Sequence, residues 1–126
     1  MREECRKRGL ARALLESVET LYPKIVHTYL EIDNPKLITS ENSAIDPRTR
    51  LTIYERLGFR VIPFNYVQPP LKEGGNYERG LLLMHRGNQL TSNDLKLFLF
   101  HFYRGLKCAD SVVLQEMYKE IEKYLW

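Results

Sequence analysis

The sequence has little cysteine. Cys5 and Cys108 are the only two and lie far apart, which excludes a disulfide framework and the paired spacing of a zinc site. A reducing, cytoplasmic setting is the expectation that follows. Long hydrophobic runs are also lacking. No stretch approaches the roughly 20 apolar residues of a membrane span, and no apolar segment follows the charged first residues as a secretory leader would require. The expectation is therefore a chain with no membrane partner. Excess charge is small: a net charge of +3 over 126 residues permits an anionic ligand without marking a nucleic-acid binder. Internal repeats and low-complexity tracts are absent.

What is present is enough for one core. The length suits one domain, and a hydrophobic share of 44% suits a globular interior. From Gly9 to about Tyr22, Leu10, Leu14, Val18 and Leu21 recur at helical spacing, and Pro23 ends the pattern. Residues 25–33 alternate, with Val26, Thr28, Leu30 and Ile32 against His27, Tyr29 and Glu31, so a strand with two unlike faces is predicted. His27 and Glu31 fall on one face, either as an acid–base pair or as satisfied polar groups. A polar loop covers 35–45. Asp46-Pro47 then supplies an N-cap and a first-turn proline for a helix that carries Leu51, Tyr54 and Leu57 near one face. Gly58 closes it with a left-handed cap.

Two further strands are predicted, a short one at 59–64 and an interior one at 80–85, whose continuous Gly-Leu-Leu-Leu-Met-His run implies cover on both faces. The strand–helix–strand connection makes 25–33 and 59–64 parallel. The 80–85 strand then lies between them, antiparallel to each, and leaves the other edge of 25–33 unpaired or paired with a second copy. Between the last two strands, Tyr66 to Asn76 forms an irregular excursion with two prolines and two glycines, either a substrate-facing loop or a packed connector. After Thr91-Ser92-Asn93-Asp94, Leu95, Phe98, Leu99, Phe102 and Leu106 form a helical stripe that Leu97 and Phe100 widen, so cover on more than one side is expected. A last helix, 110–125, puts Val113, Met117, Ile121 and Tyr124 on one face. Neither of these helices has a basic face, so a DNA reader is not expected. The pair suits core or an oligomer interface, and a homo-oligomer follows as one expectation. The fold class is α/β with a small mixed sheet, divided into residues 1–90 and a helical extension, 91–126.

Two stretches carry chemistry. Arg6-Lys7-Arg8-Gly9-Leu10-Ala11 places three cations and a glycine where the helical pattern starts. Free amide groups at a helix mouth, with its positive dipole end, hold phosphate well. A frayed basic terminus on an ordinary helix fits the same residues. Tyr54 has a phenol able to act as a general acid, or to sit half-buried on a neighbour.

In order, Arg6-x-x-Gly9-x-Ala11, Tyr54-Glu55-Arg56-Leu57-Gly58-Phe59 and Tyr66-Val67-Gln68-Pro69-Pro70-Leu71 resemble the GNAT superfamily of acyl-CoA-dependent N-acetyltransferases. The resemblance runs from about residue 3 to 86 and covers the C-terminal part of such a domain, with the N-terminal strands missing. It implies acetyl transfer from acetyl-CoA, as co-substrate, to an amine on a small molecule or peptide. Arg6, Lys7, Arg8, Gly9, Leu10, Ala11 and Arg12 would contact the pyrophosphate, and Tyr54 would protonate the departing CoA sulfur. Where the family often carries Asn seven residues before that tyrosine and a small residue four before it, this chain has Pro47 and Arg50. Asn34 stands as the substitute contact. A CoA-binding or protein-interaction fragment without catalysis is the alternative.

Overall fold

A computed structural model describes residues 3–21, 27–36 and 46–124, with the side-chain description of the first helix starting at Arg12. The elements are α1 (Glu3–Leu21), β1 (His27–Asp33), α2 (Pro47–Arg56), β2 (Arg60–Val61), β3 (Leu81–Gly87), α3 (Ser92–Gly105) and α4 (Val112–Tyr124). The expected strand start at Ile25 and Val26, the helix stop at Pro23 and the polar loop over 37–45 lie outside the described residues.

The sheet has the order β1-β3-β2, and both pairings are antiparallel. This is the expected order, with β1 and β2 parallel in direction and the other edge of β1 without a partner among the described residues. β3 holds the centre because it can be covered twice. Leu83 and Met84 point to opposite faces and are both buried, at 1% and 0% exposure. On one face Met84 joins Ile32, Ile53, Leu57 and Phe59, with α1 adding Leu15. On the other Leu83 joins Leu95, Leu99 and Tyr103 of α3 and Leu114, Met117 and Ile121 of α4. The helix pair is core, as its stripe predicted. Leu97 and Phe100 have no cover on their side, however, at 58% and 37% exposure.

Local chemistry fixes the ends. Asp46 accepts a hydrogen bond from the Arg48 amide at 3.3 Å and caps α2, with Pro47 in the first turn. Gly58 takes φ 97°, the left-handed cap expected of it, and Phe59 N–H returns to the Tyr54 carbonyl at 3.0 Å. Thr91 and Asp94 form a reciprocal capping box on α3. The second strand shrinks to Arg60–Val61 because Pro63 has no N–H to donate, although Ile62 still donates to the Leu83 carbonyl at 2.9 Å.

α1 departs from expectation twice. It starts at Glu3, so Gly9 to Ala11 lie inside the helix rather than at its mouth. Glu, Arg and Lys are good helix formers, and a single internal glycine costs only about 1 kcal/mol. Its described inward face is also rotated. Leu15 packs on the core, whereas Leu14 and Leu21 are 67% and 72% exposed.

Candidate functional site at the open edge of the sheet

Alternation along β1 sorts its side chains into two sets. Leu30 and Ile32 face α2, where Tyr54 packs against the same cluster and meets Phe59 edge-on at 5.9 Å between ring centroids. Tyr54 is half-buried. Its position on α2 follows from the Asp46 cap at one end and the Gly58 turn at the other.

Tyr29 and Glu31 face α3. There the open edge of β1 and the Phe98 and Phe102 side of α3 flank a solvent-open cleft of about 430 Å³, lined by Tyr29, Glu31, Leu83, Phe98 and Phe102, with His101 at its rim. Leu30, whose side chain belongs to the opposite cluster, also borders this cleft, so the cleft reaches the strand edge itself. Tyr29 stacks on Phe98 with centroids 3.9 Å apart and planes 15° from parallel.

Glu31 is fixed from the excursion after β2. Tyr66 Oη–H donates to Glu31 Oε2 at 2.7 Å and Gln68 Nε2–H donates to the same oxygen at 2.9 Å. Burial, then the bond to Glu31, raises the Tyr66 pKa, so its phenol stays a donor at all ordinary pH. The excursion is thus a packed connector at its root, with Tyr66, Val67 and Pro69 buried. An antiparallel bridge joins Gln68 to Glu78, and Tyr103 Oη–H donates to the Val67 carbonyl at 2.6 Å. Its tip, Leu71 to Gly74, is exposed.

His27 and Glu31 do not meet. His27 Nδ1 lies 2.7 Å from His85 Nε2, and His27 Nε2 lies 3.6 Å from Asp94 Oδ2. A row of Asp94, His27 and His85 therefore ties the start of α3 to β1 and β3. Burial, then the charge of His27, lowers the His85 pKa. Bonds from the Thr91 hydroxyl and amide lower that of Asp94. Tyr29, buried near Asp94, is pushed up to about 12.

The other sequence-derived residues are dispersed. Arg12 is exposed. Arg6, Lys7, Arg8, Gly9, Leu10 and Ala11 belong to α1, and their side chains lie outside the described residues. Asn34 follows β1, where its side-chain carbonyl accepts from the Lys36 amide at 3.0 Å and its own amide donates to the Gly80 carbonyl at 2.9 Å. Arg50 reaches Asp33 at 3.7 Å, tying α2 to the end of β1.

Sequence reading found His27, Glu31 and Tyr54 but not the partners that define the site. His85 was visible only as the polar end of an apolar run. Gln68 carried no sequence signal, because its bond to Glu31 joins segments 37 residues apart.

No protein-family model and no curated protein matches the chain. Among solved structures it is similar to a GNAT-family protein from Bacteroides thetaiotaomicron that carries the name of an acetyltransferase. The two share 23% identity with a TM-score of 0.58. The match takes in 86% of this chain and 56% of that one, so the chain spans little more than half the length of its neighbour. The likeness identifies the architecture: a mixed α/β arrangement that is part of a GNAT fold. Among the described residues no helix is long and apolar enough to cross a membrane, and no cluster of His, Cys, Asp or Glu is arranged to hold a metal.

Proposed function

We propose that the chain takes part in N-acetylation, moving an acetyl group from acetyl-CoA to an amine in the cytoplasm. One observation carries the reading. In a partial GNAT fold, Tyr54 is held by a capped helix and a glycine turn against the face of β1, a strand whose outer edge has no partner among the described residues. The amine nitrogen attacks the thioester carbonyl, a C–N bond forms and the C–S bond breaks. The Tyr54 phenol gives its proton to the leaving sulfur, and the proton released by the amine restores the phenol through water. The products are an amide and free CoA thiol. The cations Arg6, Lys7, Arg8 and Arg12, with the backbone from Gly9 to Ala11, are assigned to the pyrophosphate, and the Asn34 amide to the cofactor's arm. Because α1 runs through Gly9, its amides are engaged within the helix. Use of these amides requires the first turns of α1 to open.

That same continuity of α1 favours the second reading, a CoA-binding or protein-interaction fragment without turnover. Thiol release from acetyl-CoA over a panel of amines separates the two. Acetylation with wild type, lowered about a hundredfold or more in Tyr54→Phe with cofactor affinity kept, is the expected result. Unchanged kcat in Tyr54→Phe removes the phenol from the reaction. Affinity for CoA without turnover establishes the binding module.

A further inference from the structure

We propose that the cleft between the open edge of β1 and α3 binds the acceptor, and that its chemistry selects a primary ammonium carried on an aromatic or alkyl body. The inference rests on the acetyl-transfer reading for its place in a reaction, while the binding itself stands on the cleft.

Charge comes first. Glu31 is an acceptor whose two hydrogen bonds come from neutral donors, the Tyr66 phenol and the Gln68 amide, and both fall on Oε2. Oε1 has no donor among the described residues, and no cation pairs with Glu31 there. Neutral donors do not offset a carboxylate's charge, and one oxygen is open to a cation among the described residues. The raised Tyr66 pKa keeps the phenol a donor, so that support does not titrate away.

Shape comes second. A volume of about 430 Å³ fits a small molecule rather than a folded partner. Tyr29 and Phe98 form a stacked pair, and Phe102 continues the wall with its centroid 6.0 Å from that of Phe98. Aromatic faces beside a carboxylate suit a cation with apolar substituents, because ring quadrupoles attract the charge while ring area buries the body. An anionic acceptor would meet the Glu31 carboxylate, and a purely polar one would leave the aromatic wall without a partner.

Position comes third. Tyr54 lies on the Leu30 and Ile32 face of β1, and Glu31 lies on the other. The cleft bordered by Leu30 is continuous with the strand edge between them. Once solvent water takes one proton from the bound ammonium, the neutral amine at Glu31 would approach a thioester at that edge from the face opposite Tyr54, which keeps nucleophile and departing sulfur apart.

The test is calorimetric titration of the full chain, without acetyl-CoA, with phenethylamine, with neutral 2-phenylethanol and with 3-phenylpropionate. Saturable binding of the amine is expected, with the alcohol and the acid at least about tenfold weaker. Glu31→Gln keeps an oxygen for Tyr66 and Gln68 but removes the charge. It should weaken amine binding by roughly ten- to a hundredfold, as loss of a hydrogen bond to a charged group implies. Phe98→Leu should weaken amine and alcohol alike. Absence of amine binding overturns the proposal, as does alcohol binding as tight as amine binding or a Glu31→Gln variant of wild-type affinity. The alcohol comparison needs no variant and decides the matter even if Glu31→Gln folds poorly. Amine binding without any acetylation would defeat the acetyl-transfer reading alone. Acetylation with the same KM in Glu31→Gln would defeat this assignment alone.

Discussion

His85 makes stability depend on pH below the ordinary histidine value. The side chain is 9% exposed, with His27 of β1 at 2.7 Å, the Tyr29 ring 5.3 Å away, and Arg60 of β2 opposite it in register. Either His27 or His85 must offer a lone pair to the other's N–H. One added proton can be shared by a change of tautomer, whereas two would set N–H against N–H. Burial and then like charge from His27 lower the His85 pKa below 6.5, with Asp94 opposing more weakly. The unfolded chain takes this proton near pH 6.5 and the folded chain does not until lower pH. Below that value the unfolded state binds more protons, so stability falls as pH falls. Above it neither state is protonated, so stability is at its full value and no longer changes with pH through this group. One proton sets a ceiling of about 1.4 kcal/mol lost per pH unit, a sizeable part of the roughly 5–15 kcal/mol that holds a domain together.

Urea midpoints between about pH 7.5 and about pH 5, for wild type and His85→Gln, measure this slope. Glutamine keeps a hydrogen-bonding partner for His27 and cannot titrate. The difference between the two curves should be flat above about pH 6.5 and slope below it. Asp94 acts elsewhere: its lowered pKa gives a contribution present above 3.8 and lost as pH falls through its folded value. Parallel curves for the two proteins would refute the burial argument for His85.

Elements were legible where one physical signal dominated. The Asp46-Pro47 opening, the Gly58 turn and the Thr91 box each rest on one residue's hydrogen bonding or backbone freedom, and each stands in the structure. The sheet order followed from one crossover and one strand apolar on both sides. The start of α1 was not legible, because a glycine after three cations reads as a helix mouth when only the ligand chemistry is weighed. Helix propensity over Glu3 to Arg8 outweighs that single residue. The Leu14 stripe failed for a related reason. Apolar residues one turn apart define a face, but Leu15 and not Leu14 meets the core. The polar site was half legible: alternation placed His27 and Glu31 on one face, yet their partners lie far along the chain at Tyr66, Gln68, His85 and Asp94. Periodicity reports a face and cannot report what a distant segment brings to it.

Gly58→Ala should cost about 1–2 kcal/mol in chemical unfolding. An added Cβ meets only Arg86 at an ordinary 3.7 Å, so the cost is the φ of 97° itself, and a neutral result would refute the left-handed cap. Tyr103→Phe should cost about 1–3 kcal/mol, because it removes the 2.6 Å bond to the Val67 carbonyl in a fully buried place; an unchanged melting temperature would mean that carbonyl finds water. Gly9→Ala tests α1. Alanine is better than glycine inside a helix by about 1 kcal/mol, so the melting temperature should rise if the helix runs through Gly9. The proposed pyrophosphate contact needs those turns to open, and the same substitution biases them closed. Acetyl-CoA affinity should then drop by about fivefold, the equilibrium equivalent of that 1 kcal/mol. A lower melting temperature would show that Gly9 is not helical in the folded protein. A higher melting temperature with unchanged affinity would show that the cofactor never uses these amides, and the basic stretch would then be the surface of an ordinary helix.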